Sequence, residues 1–422
     1  MNQKRIPIIL ISAGLLVVCG LCALTVYGTY AWFGTQQANI RFFTSMDTSA
    51  TVTENEAHAA KPTLILDSDN GNITILPGEG ETFEVEMAKV GWGADQAEAE
   101  AAAQDIQVTI EETSEAVKIT YRAPDEIGVM MNRGGDNHVD FTIHVPPATA
   151  LEIKTNFGDV SVDGVEQSVQ IMSQFGDILA KDVQAGENPV HLETSFGDIT
   201  LDNIQGDELY IGTSNGSIQA TNLSATGAIE VEDEFSGEIH LEAFEASKLT
   251  LTSQSGDVEV LDGTLTADIT ISNSFGDIRV QNIKASSYIL DSENGTVRLD
   301  GASGAVQITN SFGDIEINNG KQVTLDVTSE SGDLTFTGSL NPESSHQLKN
   351  SFGDITLTLP EDSAFDLSLE TSFGEIKSDL PVTLTGALED TAWQAEINGG
   401  GSLVTATTEN GNIALHILAT DE

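Results

Sequence analysis

The 422-residue chain carries 66 acidic and 17 basic residues, a formal net charge of −49. So acidic a surface repels nucleic acid and anionic lipid, and leaves divalent cations, basic proteins and neutral polymers such as glycans as partners. The two cysteines, Cys19 and Cys22, both lie in one N-terminal apolar run, which excludes a disulfide or a thiolate metal site anywhere else.

Lys4 and Arg5 precede an apolar stretch from Ile6 to about Phe33, with no further basic residue until Arg41. The stretch exceeds the roughly 20 residues that cross a bilayer and is longer than a secretory h-region. Tyr27, Tyr30 and Trp32 sit at its far end, where an interfacial aromatic belt belongs. Residues 1–5 are therefore expected in the cytoplasm, 6–33 as a single-pass signal anchor, and everything beyond as extracytoplasmic, at the cell membrane. Cleavage near Ala31 is the competing reading. A lipoprotein reading fails because Val18 and Leu21 precede the cysteines, where a small residue is needed.

Residues 34–61 are polar and lack a period, and read as a flexible linker. Residues 62–147 read as an N-terminal β region. Strands are expected at Thr63–Leu66, Asn72–Ile75, Phe83–Met87, Gln107–Ile110, Val117–Tyr121 and Val139–Val145. One short helix is expected over Asp95–Asp105, and a glycine-containing loop over Asp125–Asn137. Pro146-Pro147 marks the boundary with a repeat array spanning 148–422.

The array is built on glycine: Gly158, Gly176, Gly197, Gly216, Gly237, Gly256, Gly276, Gly295, Gly313, Gly332, Gly353 and Gly374, at spacings of 18 to 21 residues. A period of this length means a solenoid, one coil per repeat. An aliphatic residue stands two after every glycine, and apolar residues stand four after and five before in eleven copies each. Ser378 and Glu232 are the exceptions, the latter in a rung with one extra residue, as at a bulge. The pattern is period-2 alternation on both sides of a turn in which glycine takes positive φ. Phe precedes the glycine in seven copies and Ser or Asn in five; Thr, Ser or Asn stands three before it in eleven. By parity the Phe side chains are expected inside the corner, as core and not as a sugar-binding platform, each burial contributing about 1.5–3 kcal/mol. The fold class is thus all-β, a β-solenoid. Twelve rungs about 4.8 Å apart give a rod about 55–60 Å long, closed at its far end by Trp393–Gly401 and a last turn, Asn410-Gly411-Asn412-Ile413.

Recurrent Ser-Phe-Gly-Asp-Ile and Glu-Asn-Gly-Asn-Ile turns, with Val145-Pro146-Pro147 before the array and Gly399-Gly400-Gly401 late in it, resemble the bacterial β-strand-repeat family named "putative adhesin", a domain of unknown function. The similarity covers roughly residues 62–418. The resemblance implies an N-terminal membrane segment with an extracytoplasmic β-solenoid, a link of some relatives to cell-envelope stress operons, and no catalytic residues to carry over.

The residue after the glycine is acidic in ten copies: Asp159, Asp177, Asp198, Glu238, Asp257, Asp277, Asp314, Asp333, Asp354 and Glu375. Its eight aspartates offer a column of oxygen ligands that could collect Ca²⁺, the one cofactor the sequence suggests. The alternative is that these carboxylates accept hydrogen bonds in the turn and stay solvated; the nonapeptide of Ca²⁺-binding β-rolls is absent. Gly212-Thr213-Ser214-Asn215-Gly216 matches a nucleophile elbow but falls inside a repeat turn, and the seven histidines have no metal spacing. The reading is a non-catalytic, membrane-anchored scaffold whose surface binds an unknown protein or glycan, adhesin-like or envelope-associated. The alternatives are an accessory or sensory protein of an envelope-stress system and, less favoured, a polysaccharide-active β-helix enzyme.

Overall fold

A computed structural model describes residues 48–123, 135–386 and 390–419. The expected cytoplasmic tail and membrane span, the start of the linker and most of the 125–137 loop lie outside them. Among the described residues no helix is long and apolar enough to cross a membrane.

The chain is a parallel β-solenoid. Each coil has a strand running into the corner glycine and a second strand leaving it. Strand 190–196 lies between 169–175 and 209–215, and strand 199–206 between 178–184 and 218–225. The register is residue on residue: Leu192 sits beside Ile171 and Ile211, Leu201 beside Ala180 and Ala220. In this coil Val190, Leu192, Ile199, Leu201 and Ile204 are buried, so the alternating positions do form the core. Ten turns separate Gly158 from Gly353. The extra residue expected near Glu232 appears as a register shift that brings Asp233 opposite Thr213 and Ser236 opposite Asn215.

The corner glycines form one column, for a reason stronger than turn geometry. A Cβ added at Gly216 would lie 1.9 Å from the carbonyl oxygen of Gly197, and one at Gly276 would lie 2.2 Å from that of Gly256. The backbones approach so closely along this edge that no side chain fits. Most of these glycines also take positive φ, 124° at Gly158 and 157° at Gly216.

A second corner follows six residues after the glycine. Asp182, Asn203, Asn222, Asp262, Asn282 and Asn319 occupy the left-handed region there with φ of 50–59°, Ala243 shares it at 57°, and glycine takes the place at 164, 301 and 338. Asparagine and aspartate tolerate this conformation because their short polar side chains bond locally. Asn282 donates to Asp262 Oδ1 at 3.0 Å and Asn319 to Asp300 Oδ1 at 2.8 Å. The next residue turns inward, and sizes compensate between coils: the Phe244 ring lies 2.2 Å from where a Gly263 Cβ would be.

The ends differ from expectation. Strand 63–70 is stacked between 116–121 and 150–157, and strand 73–77 between 138–145 and 160–163. Strands 63–70, 73–77, 116–121 and 138–145 therefore belong to coils of the same solenoid, and Pro146-Pro147 is no structural boundary. From Thr48 the expected linker is an edge strand, Thr48–Ala59, paired antiparallel with Thr82–Gly93 along its whole length. The helix runs Gln96–Asp105, with Asp95 as N-cap accepting from the Glu98 N–H at 2.9 Å. The far end mirrors this intercalation. Strand 402–410 inserts between 346–352 and 365–373, so the turn at Gly411 is the penultimate rung, not the last. The antiparallel strand Ala392–Ile397 then covers the outer edge of 365–373.

Candidate functional site

The phenylalanines before the glycine are outside the corner. Phe157, Phe196, Phe275, Phe312, Phe352 and Phe373 are 47–74% exposed, Phe175 40%, and Phe235 in the bulge 57%. The inward expectation fails because period-2 alternation holds only while the chain stays extended. At the corner the backbone turns about the solenoid axis, and the last residue before the glycine projects its Cβ from the convex side. The space inside belongs to the residue three before the glycine. Thr194 Oγ1 donates to the Gly176 carbonyl at 3.0 Å, Thr213 to Gly197 at 3.1 Å, and Asn273 Nδ2 to Gly256 at 3.0 Å. These buried hydroxyls and amides satisfy the carbonyls that the close glycine packing presents.

The result is an exposed aromatic ridge along the rod. Its first part is continuous: Phe157 and Phe175 stack at 5.0 Å and 4°, Phe175 and Phe196 at 4.9 Å and 6°. In its second part Phe alternates with a small residue in register, as Phe275, Asn294, Phe312, Ser331, Phe352, Asn410 and Phe373. The alternation survives to the end because the intercalated strand supplies Asn410.

Beside the ridge runs the acidic column, and its geometry is a ladder. Asp159 Oδ1 accepts the Asp177 N–H at 2.9 Å, and Asp177 Oδ1 the Asp198 N–H at 2.8 Å. Asp257, Asp314, Asp333 and Asp354 accept in the same way from Asp277, Asp333, Asp354 and Asn412. Asp198 and Asp277 accept from Ser217 and Thr296. A one-methylene carboxylate has the reach to bridge one coil. Each aspartate thus supplies an acceptor to the N–H that the turn leaves out of the β ladder. Outer oxygens remain on the surface. The Asp277 Oδ2 lies 3.4 Å from Arg298, and the Lys377 ammonium beside Glu375 holds that carboxyl below the usual range. Among the described residues no group of three or more His, Cys, Asp or Glu side chains converges on a point where a metal ion would sit.

One carboxylate is misplaced. The bulge drives Asp233 into the buried inner column, between Thr213 and Ser253, and burial pushes its carboxyl up to about 6. The elbow-like Ser214 donates to Glu234 Oε2 at 2.7 Å. His346 is buried, its Nδ1 receiving the Leu325 N–H at 3.3 Å, and desolvation lowers its pKa. On the strands after the corner, His240, Glu259, Arg279 and Arg298 line a shallow groove of about 520 Å³, with His240 and Arg279 paired to Glu259 and Arg298 paired to Glu316 beyond it.

The structure brings the glycines and the acidic residues that follow them to one edge. Sequence reasoning missed the ridge and the second corner. Asn, Asp or Gly at nine of ten positions six after the glycine, from 164 to 338, was the available signal for the latter.

These features define a class: a parallel β-solenoid with the penultimate rung at each end intercalated out of chain order and one corner carrying glycine, aromatic and acidic columns. The chain belongs to the Toastrack family (DUF4097), whose model matches residues 61–262 and again 239–416. Comparison with curated proteins gave no match. Among solved structures it is similar to a "putative cell adhesion protein" from Clostridium sporogenes, at 9% identity over 87% of this chain and 100% of that one, TM-score 0.16. It is also similar to a "putative adhesin" from Bacteroides fragilis, at 10% over 88% and 99%, TM-score 0.22. A third, a "putative adhesin" from Parabacteroides distasonis, matches at 10% over 87% and 97%, TM-score 0.22.

Proposed function

We propose that this protein is a non-catalytic scaffold whose solenoid presents a binding surface along its glycine corner, in the manner of an adhesin, and that residues 6–33 hold it in the cell membrane with the solenoid outside. The observation that carries the reading is the exposed ridge. Eight large apolar side chains line one edge of an otherwise acidic rod, where solvation alone would favour polar residues. Inner side chains such as Thr194, Thr213 and Asn273 bond the corner carbonyls without them, which leaves the rings available to a ligand. Membership of the Toastrack family fits a repeat scaffold.

The test is to replace Phe157, Phe175, Phe196, Phe275, Phe312, Phe352 and Phe373 by serine in the full-length protein and measure attachment of cells displaying it to glycan- and protein-coated surfaces. The reading requires loss of attachment with the melting temperature nearly retained. Undiminished attachment overturns it. For the anchor, protease shaving of intact cells should release the solenoid. Exchange of 6–33 for a cleavable secretion signal should free it into the medium.

A further inference from the structure

The second half of the ridge has a regular substructure in the residue two before the glycine. Rungs with Phe carry serine there, at Ser274, Ser311, Ser351 and Ser372. The small-residue rungs between them carry Glu293, Glu330 and Glu409. The register therefore builds three equivalent slots. Phe275 and Phe312 flank the rung of Glu293, Phe312 and Phe352 that of Glu330, and Phe352 and Phe373 that of Glu409. Two coils at about 4.8 Å each set the aromatic residues of a slot about 10 Å apart, room for one aliphatic stem or planar group between them. The floor is a small Asn or Ser, and the wall is an exposed carboxylate. None of the three glutamates makes an ion pair with Lys349 or any other cation among the described residues.

We propose that these slots receive successive Lys or Arg side chains of an extended polypeptide partner that carries a basic residue at every third position. The proposal rests on the scaffold reading and names its ligand. The chemistry matches at each level. The apolar stem packs between two phenylalanines, the cation faces aromatic rings, and its charge meets a glutamate. A polyproline II strand advances about 9.3 Å every three residues, close to the slot repeat. Charge complementarity favours a basic partner over a second copy of this chain, which would bring carboxylates against carboxylates at a net charge of −49 each. Basic side chains of the chain itself already settle on this edge, Lys377 on Glu375 at 2.7 Å and Arg298 on Asp277. The first half of the ridge offers no slot, because Phe157, Phe175 and Phe196 are stacked on one another.

The probe is a fluorescent peptide of four Lys-Pro-Pro repeats, titrated by anisotropy against the detergent-solubilised full-length protein. Its controls are Glu-Pro-Pro and Lys-Pro-Pro-Pro repeats with the same number of turns. The Glu293→Gln/Glu330→Gln/Glu409→Gln triple variant and the Phe312→Ser/Phe352→Ser double variant should each weaken binding at least about tenfold. Leu179→Ser, at an exposed apolar position off the ridge, should leave it unchanged, and the four-residue spacing should bind at least about tenfold more weakly than the three-residue spacing. Melting temperatures verify that the variants are folded. Equal binding of both spacings, wild-type binding by the Phe312/Phe352 variant, absence of binding, or self-association through the ridge in sedimentation each overturn the proposal. If no peptide binds yet the seven-serine ridge variant abolishes attachment, the scaffold reading stands and this inference alone falls.

Discussion

Asp177 accepts the backbone N–H of Asp198, one coil further on, through its Oδ1 at 2.8 Å. A side chain thus extends the backbone ladder across a corner where the main chain alone cannot. Removing the acceptor with Asp177→Ala should cost about 1 kcal/mol in urea unfolding, the usual net value of one such bond. Asp177→Asn keeps an acceptor, as Asn72 and Asn412 do for Asp159 and Glu375, and relieves like-charge crowding, so its stability should equal or exceed that of the parent. Because the inner oxygens already serve the backbone, a chelator should leave the melting temperature unchanged; a fall on chelation would give the column to Ca²⁺.

The glycine column should be intolerant in a position-specific way. Gly216→Ala places a methyl 1.9 Å from the Gly197 oxygen and should cost about 3 kcal/mol or more, or prevent folding. Gly186→Ala also sits at positive φ, 64°, but meets nothing within 4 Å. Its cost should stay near 1–2 kcal/mol, the penalty of the left-handed conformation alone.

Ala243 is the one residue of the second corner that is neither Gly, Asn nor Asp. Ala243→Gly and Ala243→Asn should both raise stability, by roughly 0.5–1 kcal/mol, an uncommon gain for substitutions at a single turn. A neutral or lower midpoint in denaturant would show that the neighbouring bulge, not the dihedral, sets the local energy.

Asp233 makes the stability pH-dependent. Its folded carboxyl titrates near 6 and its unfolded one near 3.8, so the folded state holds the extra proton between these values. Stability therefore falls as pH rises from about 4 to 6, and the full cost stands above 6. Two units correspond to about 3 kcal/mol. Asp233→Ser, which restores the residue type of Ser253, should stabilise the protein at pH 8 by an amount of this order. The advantage should shrink on acidification to pH 4; a pH-independent difference would point to packing instead.

The exposed and buried phenylalanines should separate cleanly. Phe312→Ser, which installs the residue that Ser331 presents one coil away, should cost under about 1 kcal/mol. Phe336→Ala, fully buried against Gly320, should cost about 3–5 kcal/mol. Equal losses would mean that the ridge is structural.

Local rules already dictated the solenoid, its glycine corner, the inward aliphatic positions, the bulge near Glu232 and a short helix over Asp95–Asp105. Each rests on a period, an alternation or a local composition rich in helix formers. Tertiary structure decided three things that no local rule reaches. The direction of Phe157 and its successors depends on how the chain bends around the corner, because a turn in the backbone cancels the parity that an extended strand would keep. The place of Gly411 depends on which free edge the last strand finds, and strand pairing between coils is indifferent to chain order when the same side chains repeat in each. The slots beside Glu293, Glu330 and Glu409 exist only because coils distant in sequence become neighbours in register. Repetition made the architecture legible, while the surface that gives it a function arises between repeats.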